Sequence, residues 1–178
     1  TQGVPQGSPL SPLLSNVMLT ELDWEIESRG LSHVRYADDC NIYVKSEKAA
    51  QRVLNSITQY VEGELKLRVN RDKSGTFRPK DSTFLGYTFS KADSKRIVVA
   101  EKSMKRLWTK LHKMFNSARG TSLKKTIERL TPVLRGWRNY YRLDTRKQFW
   151  NEMDERIRHH LRELIWIAWK RPKGKSQL

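Results

Sequence analysis

The spacing of apolar residues changes several times along this chain, and each change predicts an element. Leu14, Met18, Leu22 and Ile26 recur every four positions, which predicts a helix. Ser11 can cap it, Pro12 suits its first position, and Gly30 ends it. The preceding TQGVPQGSPLSP, with three Pro and two Gly, reads as a loop. Between residues 33 and 45 the period drops to two. Val34 and Tyr36 alternate with Arg35, then Cys40, Ile42 and Val44 alternate with Asn41 and Tyr43, which predicts a hairpin. Ser46 can cap a second helix whose stripe is Ala50, Val53, Leu54, Ile57 and Val61. LRVN and KSGTF read as short extended pieces, and TFLGYTFS and RIVVA as another hairpin across KADSK. This order favours an α+β fold, an antiparallel sheet with helices on one face.

Beyond residue 101 the strand signals vanish. Met104, Leu107, Trp108, Leu111 and Phe115 mark one helix, which Gly120 breaks. Ser122 can cap a second, carrying Ile127, Leu130, Val133 and Leu134, in which Pro132 and Gly136 predict a kink or interruption. Phe149, Met153, Ile157, Leu161, Leu164 and Ile165 mark a third. The expected division is therefore residues 1–100, mixed α and β, and residues 101–178, an all-α three-helix unit.

Charge sharpens that division. Residues 1–100 carry 14 basic and 12 acidic side chains, whereas residues 101–178 carry 21 and 7. Almost all of the formal +16 thus sits on the helical part, which points to a polyanionic partner. A single cysteine, Cys40, excludes an intrachain disulfide framework and a cysteine zinc site, and fits an intracellular, cytoplasmic home. No apolar run reaches the roughly 18 residues of a membrane span. The chain opens without an initiator Met or signal-peptide pattern and reads as an interior piece of a longer protein.

Against this basic background, Asp38 and Asp39 stand side by side between two β-prone runs. Asp is a good turn residue, so a tight solvated turn is one reading. Adjacent like charges repel unless neutralised, and hard carboxylate oxygens suit Mg²⁺, so metal binding is the other.

The run Tyr36-Ala37-Asp38-Asp39 resembles the aspartate hairpin of reverse transcriptases. Gly3-Val4-Pro5-Gln6-Gly7-Ser8-Pro9-Leu10-Ser11-Pro12 resembles the loop and helix start before it. Leu65 to Asn70 with Lys73-Ser74, then Phe84-Leu85-Gly86, are similar to the family's next two motifs. Leu134-Arg135-Gly136-Trp137-Arg138-Asn139-Tyr140-Tyr141 resembles the thumb, or maturase-specific, region of group II intron proteins.

The resemblance implies a partial polymerase palm over residues 1–100 and a thumb over 101–178, from an RNA-directed DNA polymerase that copies intron RNA from a DNA primer. It implies Mg²⁺ bound by Asp38 and Asp39, a two-metal site completed by a third aspartate outside this chain, so the chain alone would not polymerise. Pro5, Gln6, Gly7, Tyr36 and Ala37 would line the nucleotide site, and a small Ala37 leaves room for a sugar. Lys73 would neutralise or protonate the leaving pyrophosphate, with a solvated loop lysine as the alternative. Phe84, Leu85 and Gly86 would support the primer end, where Gly86 suggests close backbone approach. Arg135, Arg138 and Arg142, at spacings of three and four, would share one helical face and reach RNA or DNA phosphates, while Trp137 and at least one tyrosine pack the core. The implied partners are intron RNA, DNA primer and dNTP, in a bacterial cytoplasm, with no membrane. A second copy could cover the truncated palm's sheet edge. Other readings remain: a splicing maturase that binds RNA without physiological synthesis, or a CRISPR-associated reverse transcriptase.

Overall fold

A computed structural model describes residues 9–93 and 95–170, in two compact units divided between Arg78 and Pro79. The first contains α1 (Ser11–Ser28), β1 (Ser32–Tyr36), β2 (Asp39–Tyr43) and α2 (Glu47–Gly63). The second contains a 3-10 turn (Pro79–Asp81), β3 (Tyr87–Phe89), β4 (Ile97–Val99), α3 (Glu101–Ser117), α4 (Leu123–Tyr140) and α5 (Lys147–Lys170). Each sheet is a single antiparallel pair, so the strands form two hairpins. LRVN and KSGTF join neither, although Leu67 and Val69 pack on the first core.

In the first unit, α1 begins at Ser11 with Pro12 in its first turn, one residue earlier than the capping pattern predicts. It ends as expected. Gly30 takes φ +67°, its N–H bonds to Glu27 O at 2.8 Å and that of Leu31 to Ile26 O at 3.2 Å, the paired bonds of a Schellman cap. Ser46 caps α2 by accepting from Ala49 N at 3.2 Å. Leu22, Ile26, Val61 and Leu65 form the buried core, with Cys40, Ile42 and Ile57 packed against it.

The predicted apolar stripe of α1 is buried only in its second half. Leu14 and Met18 are 45% and 46% exposed, beside exposed Leu13 and Val17. A four-residue repeat drifts about 40° per step around a helix of 3.6 residues per turn. Three steps from Leu14 to Ile26 therefore rotate the stripe by about 120°, too far for both ends to meet one core.

In the second unit, the three helices close around Leu107, Trp108, Leu111, Phe115, Leu130, Met153 and Ile157. Ser122 caps α4 as predicted, accepting from Lys125 N at 3.4 Å. The interruption expected at Pro132 and Gly136 does not occur; α4 is one helix from Leu123 to Tyr140. Proline inside a helix costs about 3 kcal/mol, and packing of Leu130, Val133, Leu134 and Trp137 on the core offsets it. The expected boundary at residue 100 falls inside this unit, because the β3–β4 hairpin is built into it. Val98, Val99 and Ala100 are buried, and Ala100 N donates to Gly86 O at 2.9 Å.

Candidate active site and nucleic-acid interface

The register of the first hairpin decides where its acids stand. Tyr36 pairs with Asp39, leaving Ala37 and Asp38 as a two-residue loop. Ala37 takes φ +54° at the first loop position, where a type II′ turn requires a positive value. The two acids are therefore not both at the tip: Asp38 is in the loop, and Asp39 opens β2 opposite Tyr36. Both are exposed, as are Tyr36 and Ala37.

The inward face of β1 is polar. His33 and Arg35 point in, while Val34 and Tyr36 are exposed. The cause is Asp23 on α1. Arg35 Nε reaches Asp23 Oδ1 at 2.7 Å and Nη2 reaches Oδ2 at 2.5 Å, a two-point pair. Its remaining nitrogen, Nη1, donates to Ala37 O at 2.9 Å and to Asn16 Oδ1 at 3.2 Å. His33 Nε2 lies 3.4 Å from the same Asp23 carboxylate. The hydrogen bond from Arg35 holds the Asp23 pKa below its usual value against the opposing effect of burial. Cys40, paired across the strands with Arg35, has its thiol pushed up to about 11, by burial first and by Asp23 second.

Among the described residues neither Asp38 nor Asp39 is engaged in an ion pair or a side-chain hydrogen bond. With Arg35 committed to Asp23, Asn16 and the Ala37 carbonyl, no side-chain cation among the described residues pairs with them. Two exposed, unclaimed carboxylates are a donor set that fits Mg²⁺. No third His, Cys, Asp or Glu among the described residues joins them in a ligand group; the one such group is His159, His160 and Glu163 on α5, with ligand atoms within 4.8 Å of one another.

Lys73 is exposed in a turn organised by Asn70, whose Oδ1 accepts from Asp72 N and Lys73 N, both at 3.2 Å. Pro5, Gln6 and Gly7 lie outside the described residues.

In the second unit, Leu85 and Gly86 form the two-residue turn of a tight hairpin, with φ of +51° and +80°. Phe84 and Tyr87 exchange backbone bonds of 2.9 Å across it. Two positive φ values define a type I′ turn. The turn is clamped by its surroundings. Tyr140 Oη donates to Leu85 O at 3.0 Å, Ser103 Oγ donates to Gly86 O at 3.0 Å, and Tyr87 Oη donates to the Tyr140 carbonyl. A Cβ on Gly86 would collide with the Tyr141 hydroxyl and come 2.9 Å from Ser103 Oγ, so it is side chains of the same unit that crowd this glycine.

The three arginines do not share one helical face. Arg135 and Arg138 are exposed on α4, but the helix ends at Tyr140 and Arg142 lies in the turn beyond it. Arg138 sits 4.1 Å over the Trp150 ring. Trp137 and buried Tyr141 pack inward with ring centroids 4.5 Å apart, while Tyr140 is 54% exposed.

Sequence reasoning missed Asp23, Asn16 and Asp144. The Asp144 side chain is fully buried and accepts from Val99 N at 2.9 Å, from Arg146 N at 3.1 Å and from the Arg146 guanidinium. Its one sequence signal is rarity: it is among seven acids in the basic half.

An exposed carboxylate turn on one unit and a strongly basic helical bundle on the other are the parts of a nucleic-acid-handling enzyme. Residues 1–89, half of the chain, match the family model of the reverse transcriptase (RNA-dependent DNA polymerase), and the chain belongs to that family. Residues 104–178 match the group II intron, maturase-specific domain. Together these make it a reverse transcriptase–maturase chain of the group II intron type. It is 33% identical over 122 residues to Protein YkfC of Escherichia coli strain K12, covering 49% of this chain and 32% of the relative. It is 28% identical over 117 residues to the Retron Ec86 reverse transcriptase of Escherichia coli, covering 63% and 35%. The chain thus spans about a third of the length of these curated relatives. Among the described residues no helix is long and apolar enough to cross a membrane.

Proposed function

We propose that this chain supplies the carboxylate turn, the primer support and the template-gripping helices of an RNA-directed DNA polymerase that copies intron RNA inside a bacterial cell. The observation that carries the reading is the β1–β2 turn, where Asp38 and Asp39 stand exposed and unclaimed in a chain of the reverse transcriptase family. Asp38 and Asp39 would hold Mg²⁺, which would supply charge stabilisation for nucleotidyl transfer. Asp38 is the principal ligand and Asp39 supports it. Two-metal chemistry needs a further carboxylate, and among the described residues none joins this pair.

The other side chains bind and orient. Tyr36 and Ala37 line the dNTP and primer side, with Pro5, Gln6 and Gly7 contributing from the loop. Lys73 neutralises or protonates the departing pyrophosphate. The Phe84-Leu85-Gly86 turn holds the primer end, and its tyrosine clamp supports that role. Arg135, Arg138 and Arg142 reach phosphates. The charge concentrated on residues 101–178 favours a further role for this part in gripping intron RNA during splicing. We keep residues 1–100 and 101–178 as functional divisions, palm and thumb.

The test is DNA synthesis by the polypeptide extended upstream of Thr1, on an RNA template with an annealed DNA primer. Asp38→Asn should abolish synthesis and leave RNA binding intact. Persisting synthesis would remove the catalytic assignment, and lost RNA binding would mean that the substitution acts through folding.

A further inference from the structure

Arg35 makes four side-chain hydrogen bonds, none of them to the acids of the turn, and is largely withdrawn from solvent. Its side chain is 12% exposed, and the Asp23 side chain 22%. Its guanidinium joins two helical positions, Asn16 and Asp23, to the carbonyl of Ala37, the residue before Asp38. That carbonyl belongs to a residue in the left-handed region, a conformation that persists where its surroundings over-determine it. We propose that Arg35 is the positioning residue of the carboxylate turn: it fixes the Ala37 peptide, and through it the direction in which Asp38 leaves the hairpin. The proposal rests on the assignment of Asp38 and Asp39 to polymerase chemistry.

A plain structural ion pair would need only Arg35 and Asp23. The third connection, to the turn itself, is what a structural pair does not require. Only a planar fork can make all of these contacts together. A lysine ammonium can keep the charge pair with Asp23 but cannot span both the Asp23 carboxylate and the Ala37 carbonyl. Asp23 has a second task. An unpaired guanidinium next to the turn would be drawn to Asp38 and Asp39 and would compete with any cation they hold. The two-point pair removes that competition by directing the positive charge towards α1. His33, 3.4 Å from Asp23, faces the same carboxylate from β1, and Cys40 stands opposite Arg35.

The experiment uses the polypeptide extended upstream of Thr1, with primer extension measured across Mg²⁺ and dNTP concentrations, and with RNA binding and thermal melting on the same samples. Arg35→Lys should fold, bind RNA normally and show an unchanged KM for dNTP. Its kcat should fall roughly 10- to 100-fold, the usual effect of releasing a group that orients metal ligands, and half-saturating Mg²⁺ should rise. Asp23→Asn, which frees the guanidinium to approach the acids, should likewise raise half-saturating Mg²⁺. Arg35→Lys with wild-type kcat and Mg²⁺ dependence would overturn the proposal. So would losses in both variants that match their losses of folded protein by melting. Asp38→Asn, run alongside, separates the two levels. An active Asp38→Asn enzyme sinks the carboxylate assignment itself, whereas an inactive one beside a wild-type-like Arg35→Lys sinks only the role of Arg35.

Discussion

Asp144→Ala should destabilise the second unit by about 3–5 kcal/mol, the range for removing one partner of a buried ion pair. The Asp144 side chain holds two partners. Val99 is 6% exposed, so its N–H, now bonded to Asp144 at 2.9 Å, would lose its partner where water cannot replace it. A buried orphan of this kind costs about 1–3 kcal/mol. The Arg146 guanidinium would lose a charge-assisted contact worth about 1.5–3 kcal/mol, discounted because it is 34% exposed and can turn to water. Urea unfolding followed by tryptophan fluorescence is a suitable assay. Five of the six tryptophans belong to this unit, and Trp150 Nε1 donates to the Asp144 carbonyl at 2.7 Å. Burial alone would raise the Asp144 pKa, but the bonds from Arg146 and from the N–H groups of Val99 and Arg146 hold it below the ordinary carboxylate range. A depressed carboxylate adds stability above its unfolded pKa and loses it as pH falls through the folded value. The gap between wild type and Asp144→Ala should therefore narrow below about pH 4. A gap under about 1 kcal/mol at neutral pH would refute the reasoning, since that is no more than an exposed pair contributes.

Three further outcomes follow from the same geometry. Gly86→Ala should cost about 2–4 kcal/mol in the same urea assay, combining positive-φ strain with a crowded Cβ against Tyr141 and Ser103; a neutral result would contradict the clamp. Cys40 should react with a thiol reagent at pH 8 on the order of 100-fold more slowly in the folded chain than in urea, because its pKa stands at about 11 against roughly 8.5 for a free thiol; equal rates would contradict its burial. Arg135→Ala and Arg138→Ala should each weaken RNA binding and reduce the slope of log K against log salt by about 0.7–1 if they contact phosphates. An unchanged slope would remove that residue from the interface.

Local signals were legible in the sequence, and contacts between elements were not. Ser46, Ser122 and Gly30 act within a few residues of themselves, so their caps could be read directly. The turn at Leu85-Gly86 was not: TFLGYTFS reads as one extended strand, and the positive φ of Leu85 and Gly86 breaks it into a turn before β3 begins at Tyr87. Likewise, alternation in VRYADD identifies a strand without saying which face turns inward. Asp23, twelve residues before Arg35, makes that choice by drawing the polar face of β1 against α1. The exposure of Leu14 and Met18 depends on helical drift that a four-residue count hides. Arg142 leaves the face of Arg135 and Arg138 because α4 stops at Tyr140, and the continuity of α4 through Pro132 reflects packing on α3 and α5 that local propensity does not contain. The carboxylate turn was found because its chemistry is written in adjacent letters. The role of the Arg35 guanidinium was missed because its partners are scattered between Asn16 and Ala37.

The most direct test of the account is where a divalent ion settles on this chain. Mn²⁺, a paramagnetic substitute for Mg²⁺, should broaden the amide resonances of Tyr36 to Cys40 first as its concentration rises, and the double substitution Asp38→Asn with Asp39→Asn should abolish that broadening. Unperturbed signals at this turn, with broadening centred instead on His159, His160 and Glu163, would contradict the assignment of the metal to the β1–β2 hairpin.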